Sequence, residues 1–338
     1  MDEATKENET GKTALFWEKG DNGDVRCTLC PRSCNVNPGE TGACGARKNI
    51  DGKLVSLNYG LMCAAIDPIE KKPLFHWRPG SRILSLGTFG CNLFCPFCQN
   101  AHLSRAVTGS GLEKAAPEDV LSLVCDAGID SAAFTYNEPS VWFEFVLETS
   151  RLLKSHGVAS VLVTNGFISP DPLEILLQTT DALNIDLKGF SDETYSRLGG
   201  SLEPVLRTIF TALSKNLHVE ITHLVVPGIN DSLEEFEAMI HWVKEMSQGI
   251  PLHISRYFPA HGWDRPPTPL QDIKLRMDIA SRHLDFVYSG NMRGSNNTFC
   301  PKCGEITVVR SPLYEIKVLT GPDGQCPSCK TPMGIVMR

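Results

Sequence analysis

Between residues 82 and 290 the chain alternates strand-type and helix-type segments with little interruption. RILSLGT (82–88) reads as a buried strand and residues 118–127 as a helix. AAFTYN (132–137), ASVLVTN (159–165), ALNIDLK (182–188), VEITHLVV (219–226), PLHISRYF (251–258) and DFVYSG (285–290) read as further strands. Helical segments at 140–156, 172–178, 203–215, 232–246 and near 269–283 separate them. Such alternation requires right-handed βαβ units and a parallel sheet. About six units fall short of an eight-fold barrel. The expected fold is therefore α/β with a partial (β/α)6 barrel, flanked by Cys-rich elements at both ends.

Those flanks hold most of the 13 cysteines in the 338 residues. Hydrophobic residues are 42% and charged residues 21%, so the chain has the core that disulfide scaffolds lack. The odd cysteine count also fits poorly with complete pairing. A net charge of −7 argues against nucleic acid as a partner. The start, MDEATKENETGKT, has no apolar signal core, and no apolar run is long enough for a membrane helix. A cytoplasmic protein with reduced thiols is expected, and reduced cysteines at short spacing point to metal.

Cys300-Pro-Lys-Cys303 and Cys326-Pro-Ser-Cys329 are separated by 22 residues. Two such turns complete a closed tetrahedral site, and 306–320 between them suits a hairpin. This is a zinc-ribbon pattern, for Zn or a rubredoxin-type Fe. Cys27, Cys30, Cys34 and Cys44 also suit one centre, either Zn or an auxiliary iron–sulfur cluster. Cys91, Cys95 and Cys98 are only three. They can hold three irons of a cubane and leave the fourth open, just past a strand end where α/β barrels keep their chemistry. Cys63 and Cys125 stand alone and read as buried packing thiols.

Polar groups recur where the strands end. Thr135-Tyr136-Asn137-Glu138-Pro139 offers a carboxylate and carbonyls for an ammonium group, or simply turns the chain into a helix. Asp186 and Lys188 alternate with apolar neighbours, so both point to one face. Inside a barrel that face is costly for charge without a ligand, ion or partner. Pro227-Gly228-Ile229-Asn230-Asp231 is either an ordinary turn or a backbone contact for an adenine or ribose.

CNLFCPFC (91–98), TYNEP, DLK and VVPGIND occur in that order, and the chain resembles the pyruvate formate-lyase activating enzyme branch of the radical S-adenosylmethionine (SAM) superfamily. CTLCPRSCNVNPGETGACGARKN, DPIEKKPLFHWRPGS, LGTFGCNLFCPFCQN and the terminal CPKCG resemble, more closely, the AmmeMemoRadiSam system radical SAM enzyme family. Under that resemblance 1–80 is a Cys-rich segment, 81–292 the barrel and 293–338 the ribbon module. It implies a [4Fe–4S] cluster on Cys91, Cys95 and Cys98, reductive cleavage of SAM, and a 5′-deoxyadenosyl radical that abstracts hydrogen from an unidentified substrate. Asn137 and Glu138 are implied near the methionyl group, and Asp186 and Lys188 near the ribose or sulfonium, with Lys188 a candidate catalytic residue. Thr222, His223, His253 and Arg256 compete for a ribose contact. An external electron donor and Memo-like and AMMECR-type proteins are the implied partners. Two alternatives remain. One is activation of a glycyl-radical enzyme. The other is a binding module using the ribbon's Lys302, Arg310, Lys317, Lys330 and Arg338, with Phe299 and Tyr314 as stacking aromatics.

Overall fold

The computed structural model describes residues 11–294, 296–311 and 315–337; Tyr314 and Arg338 lie outside them. Seven strands pair in parallel in chain order: β1 (Arg82–Gly87), β2 (Ser131–Phe134), β3 (Ala159–Thr164), β4 (Ala182–Asp186), β5 (His218–Val225), β6 (Leu252–Arg256) and β7 (Val287–Gly290). The crossovers are α1 (Pro117–Asp126), α2 (Phe143–Ser155), α3 (Pro170–Leu177), α4 (Glu203–Ser214), α5 (Leu233–Met246) and α6 (Leu270–Ala280). Prolines in the first turn start α1, α3 and α4, where a missing N–H costs nothing. The Ser232 hydroxyl caps α5 by accepting the Glu235 amide.

Successive residues face opposite sides of each strand. Leu84, Leu86, Phe134, Leu162 and Ile221 face outward and join Val120, Phe145, Val205 and Phe236 of the helices. Ile83, Ala133, Val161 and Ala182 face inward and gather around Ile69, Leu74 and Trp77. Four strands reaching one short segment means the sheet is strongly curved around a filled interior. This is a partial barrel of six βα units with a closing strand.

Several features were not legible in the alternation. Leu61–Pro68 pairs antiparallel with β1, placing Cys63 opposite Gly87 and Asp67 opposite Ile83. Three consecutive residues, Ala64, Ala65 and Ile66, are exposed, so the segment carries no clean period. A short helix, Asp192–Arg197, follows β4, and α3 starts at Pro170 rather than Pro172. Cys125 is exposed, correcting the expectation of a buried thiol. Helix α1 buries Val120 and Val124, and the next position turns away from that face.

The Cys-rich start forms two three-stranded antiparallel sheets. Its Val25, Leu29, Val36 and Leu54 share the main core with Phe143. The other flank closes the lower end of the barrel. Thr298–Phe299, Ile306–Arg310 and Ile316–Val318 form an antiparallel sheet. The Val336 amide donates to the His76 carbonyl at 2.7 Å, and the Arg78 amide to the Val336 carbonyl at 2.8 Å. Phe75, Phe286 and Tyr288 pack with Cys300, Cys326 and Met333. Among the described residues no helix is long and apolar enough to cross a membrane.

Candidate active site and metal centres

The upper ends of the strands carry the site. After β1 the chain passes Gly90, with φ +96°, into the loop bearing Cys91, Cys95 and Cys98. Asn137 fixes this entry: its Oδ1 accepts the Thr88 amide at 3.0 Å, and its Nδ2 donates to the Gly90 carbonyl at 3.0 Å. Glu138 is buried. It accepts the Ser140 amide at 3.0 Å, the Thr164 hydroxyl at 2.7 Å and the Asn165 amide at 2.8 Å. Its carboxylate therefore joins the ends of β2 and β3 and caps the turn after β2. Burial pushes its pKa up despite these donors.

Asp186 and Lys188 lie together, with Lys188 Nζ 3.0 Å from Asp186 Oδ2. Burial opposes the ammonium charge, but Asp186 and the thiols of Cys95 and Cys98 outweigh it and hold the Lys188 pKa above its ordinary value. The pair is thus within electrostatic reach of the cysteine loop. Burial pushes the Cys91 thiol up, and the Glu138 charge adds to the rise; at Cys95 burial also wins, against the pull of Lys188. Such thiols become good ligands when a cation replaces the proton.

The candidates on β5 and β6 separate. The Thr222 hydroxyl donates to Asn184 Oδ1 at 3.0 Å, inside the barrel. His223 faces outward against Phe236 of α5, with Nδ1 2.8 Å from the Leu187 carbonyl. His253 Nε2 lies 2.7 Å from Glu220, which also accepts the Phe75 and His76 amides at the barrel base. The Arg256 Nε donates to the Thr268 carbonyl at 2.7 Å. The structure thus brings Asn137, Glu138, Asp186 and Lys188 to the cysteine loop and engages His223, His253 and Arg256 elsewhere.

Asn165 was missed in the sequence. Its Nδ2 donates to Cys91 Sγ at 3.7 Å and to Asn92 Oδ1 at 2.9 Å. The signal was there: Asn165 follows β3 as Asn137 follows β2, a polar residue at the upper rim. Cys63 is half-buried, 3.5 Å from the Gly87 carbonyl.

The thiol sets differ in spacing. Sulfurs about 2.3 Å from one zinc lie about 3.8 Å apart in a tetrahedron. Cys300 and Cys329 are 3.5 Å apart, as are Cys303 and Cys326, and all four sulfurs lie within 4.8 Å of one another. That is compatible with a zinc-ribbon-like module. Among the described residues, Cys91, Cys95 and Cys98 form no such tight set. Three thiols on one loop fit a cluster in which each binds a different iron.

The radical SAM superfamily pattern matches residues 85–243. An uncharacterized protein of Methanocaldococcus jannaschii is 37% identical over 335 residues, covering 96% of this chain and 100% of that one. Pyruvate formate-lyase 1-activating enzyme of Escherichia coli K12 is 28% identical over 197 residues, covering 55% of this chain and 78% of that enzyme. A putative glycyl-radical enzyme activating enzyme of M. jannaschii is 25% identical over 214 residues, with coverage of 60% and 79%. The matched segment contains the three-thiol loop, Glu138, Asn165 and the Asp186–Lys188 pair. By that pattern and that geometry together, the chain belongs to the radical SAM superfamily and is an enzyme that uses SAM.

Proposed function

We propose that Cys91, Cys95 and Cys98 are the cluster ligands, and that Asp186 and Lys188 orient SAM against the open side of the loop. The reading is carried by the three-thiol loop after β1 with an ion pair whose charge acts on its thiols. When bound, the cluster and SAM supply one-electron cleavage of the sulfonium and a radical that takes a hydrogen atom from substrate. The protein's own part is placement. Asn137 holds the loop entry, Glu138 ties β2 to β3, and Asn165 donates to the Cys91 sulfur. Lys188 keeps its proton and offers a fixed positive charge to a carboxylate or ribose oxygen. Ile69, Leu74 and Trp77 plug the base of the barrel with apolar side chains, which closes that end to water.

Within the superfamily we assign the chain to the AmmeMemoRadiSam branch, on the two flanking Cys-rich elements and the DPIEKKPL stretch that threads the barrel base. The reading takes a cytoplasmic location, an external electron donor, and Memo-like and AMMECR-type proteins as partners. Anaerobically reconstituted protein should release 5′-deoxyadenosine from SAM after reduction, and Cys91→Ala should not. Equal behaviour of the two would overturn the assignment.

A second reading is activation of a glycyl-radical enzyme, favoured by the names of two relatives. Those similarities cover 55% and 60% of this chain, so much of it has no counterpart there. EPR after co-incubation with a candidate glycyl-radical protein separates the two readings.

A further inference from the structure

We infer that Cys27, Cys30, Cys34 and Cys44 hold a second [4Fe–4S] cluster, seated directly against the loop of the first. The four thiols line one cavity, with Arg47 and Asn92 in its wall. They come from the end of strand Val25–Cys27, the turn after it, the residue before Asn35–Val36, and the Thr41–Ala46 loop.

Spacing separates a cluster from a single ion. The C-terminal four are already gathered at zinc distances. No three of Cys27, Cys30, Cys34 and Cys44 form such a set among the described residues, although all four face the same space. In this they match Cys91, Cys95 and Cys98 and not the ribbon. Thiols that each bind a separate iron stand farther apart than thiols sharing one ion.

Placement supplies an independent reason. The Cys91 amide donates to the Cys44 carbonyl at 3.3 Å, linking a ligand of one centre to a ligand of the other. Gly90 is required there, since a Cβ would lie 2.8 Å from the Cys44 carbonyl oxygen. Arg32, from the turn after Cys30, donates through Nε to the Asn92 carbonyl at 2.8 Å. Asn92 lines the cavity and accepts from the Asn165 amide that also reaches the Cys91 sulfur. Arg47, buried and paired with Glu144, brings Nη1 within 3.9 Å of Cys27 Sγ. It supplies positive charge and a donor to a buried anionic thiolate set. A redox centre works only near its redox neighbour; a structural zinc has no such need.

The test is metal content and spectroscopy on the full chain, reconstituted anaerobically with iron and sulfide. Wild type should carry about eight irons, four per cluster, and about one zinc. Mössbauer spectra should show all the iron as [4Fe–4S]. Cys27→Ala/Cys44→Ala should retain about four irons and an EPR signal that changes on adding SAM. Cys91→Ala should retain about four irons whose signal ignores SAM. About four irons with about two zincs in wild type, or equal iron in wild type and the double variant, would overturn the inference. If either variant fails to fold, the wild-type iron-to-zinc ratio decides alone. Loss of the SAM response with the second iron set intact would instead count against the proposed function, so the two failures differ.

Discussion

The Asn165 carboxamide donates to the Cys91 sulfur across 3.7 Å, from a residue whose backbone amide is held by Glu138. A donor to a ligand sulfur favours the more negative, reduced state of a cluster and so raises its potential. Asn165→Ala should leave the iron content unchanged and lower the midpoint potential in an EPR-monitored titration. One charge-assisted bond of about 1.5 kcal/mol corresponds to roughly tenfold in SAM cleavage with a weak reductant. An unchanged potential would sink the idea.

Lys188 is the predicted cofactor contact whose positive charge pulls on both Cys91 and Cys95, while Arg105 is engaged on the Cys95 carbonyl at 3.4 Å. Lys188→Met should weaken SAM binding by about 10–100-fold, the 1.5–3 kcal/mol of a charged hydrogen bond. Calorimetric titration of the reconstituted protein measures this. Normal affinity would remove Lys188 from the SAM site.

Much of this was legible because the strands are buried on both faces and read as continuous apolar runs. The three-thiol loop was legible because its ligands are local in sequence. The partners of those ligands were not. Asn165 reaches Cys91 across 74 positions; its place at a strand end marked the rim, but not which sulfur it would meet. Equally, His253 looked like a candidate because it sits on a strand in the barrel. Its register sets it opposite Thr222, and its ring bonds Glu220 near the base. Antiparallel Leu61–Pro68 escaped because its exposed residues break the period. Local chemistry was readable; register and cross-strand pairing needed the fold.

Gly90 is fixed by two demands, a φ of +96° and room for Cys44 and Ala46. Gly90→Ala would set its Cβ 2.8 Å from the Cys44 carbonyl and 2.9 Å from the Ala46 Cβ. Strain and overlap together should cost about 1–3 kcal/mol. Denaturant midpoints of the two proteins check it; equal stability would mean the loops can part freely.

The ribbon thiols lie at the barrel end opposite the Cys91 loop. Cys303→Ser should remove the bound zinc and lower the thermal midpoint, since metal binding there is folding energy. Cys300 and Cys326 pack with Phe75, Phe286 and Tyr288, so loosening should expose this cluster to a hydrophobic dye. The SAM-dependent EPR signal should survive. Its loss would tie the two ends together more tightly than their contacts suggest.

Acid should weaken the fold through two buried histidines. His76 Nδ1 lies 3.0 Å from the Met333 carbonyl, which can only accept, so Nδ1 carries the proton. Nε2 then accepts from the Tyr288 hydroxyl at 2.6 Å, and a second proton would place a charge on a fully buried ring. Burial pushes the His76 pKa down to about 3 and the His223 pKa down to about 4. In the unfolded chain both return to about 6.5. Both are depressed in the fold, so their contribution is complete above that value and is lost as pH falls through it toward the folded pKa values. At pH 5.5 the loss is about 1.4 kcal/mol per histidine. The urea midpoint should therefore drop between pH 7.5 and 5.5, with cluster absorbance followed in parallel to separate metal loss. His76→Gln keeps a donor and an acceptor but no titration, and should remove about half of that drop. A midpoint that is flat over this window in wild type would show that these rings are protonated inside the fold.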